Sequence, residues 1–178
     1  MKMPTIKQDD LIQSVADALQ YISYYHPPDF VAALTEAWEK EESAAAKDAM
    51  AQILVNSKMC AEGRRPVCQD TGIVNVFMSV GQNVMFEGDM ALVDMINEGV
   101  RQAYQYPDNV LRASVLADPA GARKNTGDNT PAVVDGEIVR GDTVAVHVAA
   151  KGGGSEARTK CAMLEAADSL VDWRLRSV

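Results

Sequence analysis

The chain has 178 residues, 47 % of them hydrophobic and 24 % charged, which is the composition of a globular protein and not of a disordered tail. Its 17 Lys and Arg against 25 Asp and Glu leave a formal charge of −8, which speaks against nucleic acid as a partner because phosphate contacts need clustered cations. The opening residues lack the apolar region of a secretory signal, and no apolar run approaches the length of a membrane span, so a cytoplasmic protein is expected.

The first third reads as helical. Leu11, Ile12, Val15, Leu19 and Ile22 recur at helical spacing, and Pro27-Pro28 stops that helix. Pro28 and Asp29 open a second helix with a stripe of Phe30, Val31, Leu34, Ala37 and Trp38. Ser43 is an N-cap for a third helix, Ala44 to Glu62, ending at Gly63, whose Met50, Ile53 and Leu54 are expected to face the first two.

Beyond Gly63 the pattern changes. Ile73 to Val80 is a β-rich run with apolar residues on both faces, as in a buried strand. Asp89 to Tyr104 is an amphipathic helix closed by Pro107. Ala132 to Val134, Asp135-Gly136 and Glu137 to Val139 read as a tight hairpin, because Asp-Gly suits a type I′ turn. Thr143 to Ala150 forms another strand, and helical spacing returns after Lys160 through Met163, Leu164, Ala167, Leu170 and Val171. The expected class is α+β: N-terminal helices packed with a mixed β-sheet domain and closed by a C-terminal helix. Residues 1–63 make the helical part and 64–178 an α/β part, within one compact domain overall.

Three loops crowd polar residues and glycines at strand ends. Arg64-Arg65-Pro66-Val67-Cys68-Gln69-Asp70-Thr71-Gly72 brings a thiol, an amide, a carboxylate and a hydroxyl within four positions. Neighbouring Arg64 and Arg65 would favour a Cys68 thiolate, while a loop bonding only its own backbone is the plainer alternative. Lys124 to Ala132 is a polar turn before a strand. Lys151-Gly152-Gly153-Gly154-Ser155-Glu156 has backbone N–H groups open to an anion, and it lacks the Gly-Lys-Ser/Thr ending of a nucleotide loop. A carboxylate is therefore the expected anion. Arg112 can clamp such a group bidentately, although a surface ion pair is the ordinary fate of an arginine. Two histidines, His26 and His147, and three cysteines, Cys60, Cys68 and Cys161, support neither a hydrolase triad nor a zinc site nor a disulfide framework.

Taken in order, RPVCQDTG, NVLR, NTGDNTPA and KGGGSE resemble the N-terminal part of the class I, iron–sulfur-dependent fumarate hydratases and the related tartrate dehydratase α chains. The resemblance covers essentially the whole chain. It implies a hydro-lyase that hydrates fumarate to malate, using a 4Fe–4S cluster held by three cysteines. By that resemblance Cys68 stands at the first cluster-ligand position, and Gln69 and Asp70 stand where the family contacts substrate. Asp70 is also a candidate for proton transfer, Arg112 for gripping a substrate carboxylate, and Gly154 for lining the site with its backbone. Residues 126–130 are expected to shape the same pocket.

One departure from the family matters. Its second and third cluster cysteines lie beyond the stretch matched here, and Cys60 and Cys161 stand at neither position. The expectation is therefore a fumarase portion that is inactive alone, needing a missing C-terminal segment or a second subunit and holding no cluster by itself. The alternative is a naturally short, non-catalytic family member acting as a partner or binding subunit. A third option builds an unusual cluster from Cys60, Cys68 and Cys161. Uncovered site loops also predict a homo-oligomer.

Overall fold

The structure is a computed structural model that describes residues 3–152 and Met163. The expected C-terminal helix and the Gly153–Glu156 loop, with Gly154 and Cys161, lie outside the described residues. In chain order the elements are β1 (Thr5–Lys7), α1 (Gln8–Tyr24), α2 (Pro28–Lys40), α3 (Ala44–Gly63), β2 (Ile73–Gly81), β3 (Met85–Glu87), α4 (Leu92–Tyr104), β4 (Leu116–Ala117), β5 (Lys124–Asn125), β6 (Val133–Val139) and β7 (Val144–Lys151). The mixed α+β class is as expected. Among the described residues, no helix is long and apolar enough to cross a membrane.

A three-stranded sheet of order β6-β2-β7 carries the fold, with β2 parallel to β6 and antiparallel to β7. Alternation along β2 sends Val74, Val76 and Met78 to one face, where α1 and α4 cover them. Leu11, Val15 and Leu19 of α1 meet Ile96, Val100 and Ala103 of α4 there, all buried at helical spacing. Fully burying each of the valine, leucine and isoleucine side chains contributes about 1.5–3 kcal/mol. The opposite face of β2 is open among the described residues, with Phe77 half exposed. Among the described residues, β2 is central in its sheet and covered by helices on one side; burial of its second face, expected from the sequence, is not seen there.

Several boundaries follow local chemistry. Pro28 starts α2, and the Ser43 hydroxyl caps α3 by accepting the Ala46 N–H at 3.4 Å. The left-handed residue ending α3 is Arg64 (φ 48°), one place beyond the expected glycine. Met50 and Leu54 are half-buried, but Ile53 is exposed, so α3 turns a narrower face to its neighbours than its stripe suggested. Helix α4 begins at Leu92 and not at Asp89. The N–H groups of Asp89 and Met90 donate to the Gln8 side-chain oxygen at 3.2 and 3.0 Å, which ties this segment to the start of α1.

The expected hairpin at Asp135-Gly136 does not form. β6 runs straight through both residues, with Asp135 opposite Phe77 and Gly136 opposite Met78. Strand β2 lies between β6 and β7, so the chain must pass over the end of β2 to reach β7. The turn falls at Gly141 (φ 123°), and this crossing is bonded to the end of β2 through Gly81 N–H to Thr143 O and Gln82 N–H to Val139 O, both 2.8 Å. Parallel pairing to β2 gives 135–136 a full ladder, which outweighs the turn propensity of the dipeptide. A Cβ at Gly136 would meet only Met78 atoms at 3.9 Å, an ordinary contact. Gly136→Ala is therefore expected to raise stability by about 0.5–1 kcal/mol by removing a flexible residue from a strand interior. Thermal unfolding checks this; a clear loss of stability would indicate a turn at this position.

Candidate functional site

The loop after α3 is tied down along its length. The Val67 N–H donates to Ser23 O at 2.8 Å, the Asn56 amide donates to Val67 O at 2.8 Å, and the buried Cys60 thiol donates to Pro66 O at 3.5 Å. Cys60 thus belongs to the packing under the loop. Cys68, by contrast, is exposed, and its thiol donates to Asp70 O at 3.4 Å. The turn closes at Gly72 (φ 71°), where a Cβ would fall 2.3 Å from the Lys151 carbonyl atoms. Only glycine lets the loop seat against the end of β7 there.

The loop carrying Arg112 is joined to this one by side chains. The Thr71 hydroxyl donates to Arg112 O, the Ser114 hydroxyl to Gly72 O at 3.2 Å, and the Tyr104 hydroxyl to Thr71 O at 2.8 Å. Burial pushes the Tyr104 phenol up to about 12, so it remains a neutral donor through the physiological range. Asn56, Cys68, Gln69, Thr71, Val110 and Arg112 line one shallow cleft of about 500 Å³. Asp70 and Cys68 also line a smaller adjoining pocket of about 100 Å³ that reaches in to Tyr104.

The third motif backs the cleft without lining it. Asn125 donates its amide to Ala113 O at 2.8 Å, and the Thr126 N–H donates to Val115 O at 3.0 Å. Asn129 (φ 63°) is wholly buried. Its side-chain oxygen accepts the N–H groups of Ser114 and Val115 at 2.7 and 3.2 Å, and its amide donates to Gly72 O at 2.8 Å. Burial would raise the carboxyl of Asp128, but bonds from the Thr130 N–H and hydroxyl and from Arg101 outweigh it and hold the group below the usual range. Thr126 Oγ1 is buried with no hydrogen-bond partner among the described residues.

The structure therefore gathers Cys68, Gln69 and Arg112, 44 residues apart at the extremes, in one cleft, with Asp70 in the pocket adjoining it. Arg64 and Arg65 line neither Cys68 pocket; Arg64 instead borders a separate cleft of about 470 Å³ with Tyr21, Tyr24 and Tyr106. Tyr104 and Asn129 are the members that sequence reasoning did not single out. Their partners lie 14–57 residues away, so no local spacing marks them. The chemistry on offer is an arginine, an amide and a thiol in one open cleft, with the Asp70 carboxylate in the pocket that adjoins it at Cys68, a set suited to a small polar anion.

Among the described residues one thiol, Cys68, is exposed, while Cys60 is spent on packing and no group of three His, Cys, Asp or Glu could hold a metal ion. The described donors are thus fewer than the three cysteines that the resemblance implies for a cluster.

Comparison with known proteins agrees with the motifs. The chain is 30 % identical over 159 residues to a Methanocaldococcus jannaschii protein provisionally named L(+)-tartrate dehydratase subunit alpha, covering 88 % of this chain and 55 % of that one. It is 28 % identical over 144 residues to the L(+)-tartrate dehydratase subunit alpha of Escherichia coli, covering 81 % and 47 %. It is also 36 % identical over 108 residues to the anaerobic class I fumarate hydratase of Escherichia coli K12, covering 61 % and 19 %. The chain thus spans about half the length of the tartrate dehydratase relatives, and its match covers about a fifth of the fumarase. The family model described as Fumarate hydratase (Fumerase) matches residues 12–178, and the chain belongs to that family.

Proposed function

We propose that this chain forms the dicarboxylate-gripping part of a hydro-lyase that interconverts fumarate and malate or a close analogue such as tartrate, and that further polypeptide completes the site. One observation carries the reading. The cleft is built by bonding the Arg112 loop directly to the Cys68–Gly72 loop, which brings the arginine and the Gln69 amide into one cleft, with the Asp70 carboxylate in the adjoining pocket. Membership of the family and relatives named as α subunits support a companion chain.

In this reading Arg112 holds one substrate carboxylate through charge-assisted hydrogen bonds, and Gln69 orients the remainder. Dehydration breaks a C–O bond and removes a proton from the neighbouring carbon, and Asp70 is assigned to proton transfer on that path. Gly154 is assigned to the substrate-facing backbone. Cys68 is assigned as one ligand of the family's iron–sulfur cluster; the other ligands are not among the described residues, and no step is derived through that group. Free thiols at Cys60 and Cys68 suit a reduced cytoplasmic compartment.

The test is anaerobic reconstitution with iron and sulfide, performed on the chain as purified with the companion it carries. Iron content and fumarate hydration are read together, with Cys68→Ala alongside. Turnover that disappears with Cys68→Ala supports the reading. A preparation that turns over equally without the Cys68 thiol sinks it.

A further inference from the structure

We infer that Asn129 is a positioning residue that sets the distance between the Arg112 loop and the Cys68–Gly72 loop, and thereby the length of ligand the cleft accepts. The inference rests on reading the cleft as a dicarboxylate site. Asn129 is wholly buried, and a buried amide is costly unless its bonds are made. It makes three, and all three end on main-chain groups of the two loops that carry the assigned ligand-binding side chains. The Ser114 and Val115 N–H groups lie two and three residues beyond Arg112; the Gly72 carbonyl lies two residues beyond Asp70.

The other ties between these loops, from the Thr71 and Ser114 hydroxyls, are made by single-bond rotors that can turn aside. The Asn129 amide is planar, with its acceptor and donor on opposite sides of one rigid group, so it fixes a separation in a way that the hydroxyls do not. Its left-handed backbone suits asparagine and aims the side chain inward. Asn125 and Thr126 bind the same loop to residues 113–115, which keeps the Asn129 backbone from drifting. A residue needed only for packing would gain nothing from ending all its bonds on these two loops.

A ligand with two carboxylates must reach both loops at once, whereas a monocarboxylate needs only Arg112. Asn129→Gly keeps the left-handed backbone and removes the spacer. In the purified complex, ligand-observed NMR with L-malate and 2-hydroxybutyrate well below the melting temperature reads the two affinities. Asn129→Gly is expected to raise the Kd for malate about tenfold, the scale of one lost buried hydrogen bond, while 2-hydroxybutyrate changes less than about twofold. Asn129→Asp retains both acceptor bonds and turns the donor to Gly72 O into a buried carboxylate oxygen that repels that carbonyl, pushing the two loops apart; it carries the same comparison if the glycine variant does not fold, with a shift in the same direction.

A lower melting temperature with the malate preference intact overturns the inference, since Asn129 would then be structural alone. Equal weakening of both ligands overturns it too. Arg112→Ala separates the two layers of the argument. If that variant binds malate as the parent does, the dicarboxylate reading falls and takes the inference with it; if it loses malate, the Asn129 comparison stands on its own.

Discussion

On the function proposed above, Arg112→Ala is expected to lower kcat/KM for malate by about a hundredfold to a thousandfold in the completed assembly, with Arg112→Lys recovering only part of the loss. A guanidinium gripping a carboxylate through two charge-assisted hydrogen bonds contributes about 3–4 kcal/mol, and each 1.4 kcal/mol is a factor of ten. Arg112 is exposed in this chain, so solvent screening sets the lower end of that range. Lysine keeps the charge and loses the fork, which is why rescue stays incomplete. The bond from Thr71 goes to the Arg112 main-chain oxygen and survives both substitutions. Melting temperature should therefore hold while turnover collapses. Steady-state kinetics beside thermal unfolding decides it, and activity within threefold of the parent would remove Arg112 from the site.

Gly99→Val is expected to cost about 3 kcal/mol of stability and Gly99→Ala about 1–2. Gly99 lies on the face of α4 that meets α1, where a Cβ would stand 2.7 Å from Ile12 O, 2.8 Å from Val15 Cβ and 3.0 Å from Val15 Cγ1. Two effects oppose each other. Alanine favours a helix over glycine by about 1 kcal/mol. Overpacking a filled core costs about 1–3 kcal/mol, and the obstacle here includes a main-chain oxygen that cannot rotate away, so α1 itself must shift. Clash wins over propensity. For a chain of this size each kcal/mol moves the melting temperature by about 2–4 °C, giving a fall of about 6–12 °C for valine by calorimetry. A melting temperature raised by Gly99→Ala would mean that the two helices are not in backbone contact.

Much of the fold was legible because it rests on local signals. Proline at Pro28, the Ser43 cap and the apolar stripes of α1 and α4 each depend on residues within one or two turns of each other. The failures share the opposite cause. Asp135-Gly136 is a good turn dipeptide, but the partner that straightens it is β2, about sixty residues earlier. Asp89 reads as the start of α4, yet it lies in the segment tied across 81 residues to Gln8, and the helix begins at Leu92. β1 and β3 are three residues long and pair only with each other, too short for any alternation to register. In the cleft, Cys68, Gln69, Asp70 and Arg112 stood out by chemistry and by resemblance. Asn129 was marked only as one of residues 126–130 expected to shape the pocket, since a polar loop residue reads the same whether it faces water or is sealed beneath three main-chain bonds.

The placement of β2 between β6 and β7 also governs the order in which this chain can mature. Neither neighbour of β2 is local: its partners run from Val133 to Lys151, so both edges of the strand are unmatched until the ribosome has delivered that stretch. Over that interval α1 and α4 can find each other, but Val74, Val76 and Met78 lack the sheet that presents them. Pairings this distant slow folding, and an apolar strand waiting with two open edges is a target for chaperones or for its counterpart on a neighbouring nascent chain. The cleft, whose Cys68–Gly72 loop leads into β2 and is held from behind by the loop that leads into β6, is then among the last parts of the molecule to take shape.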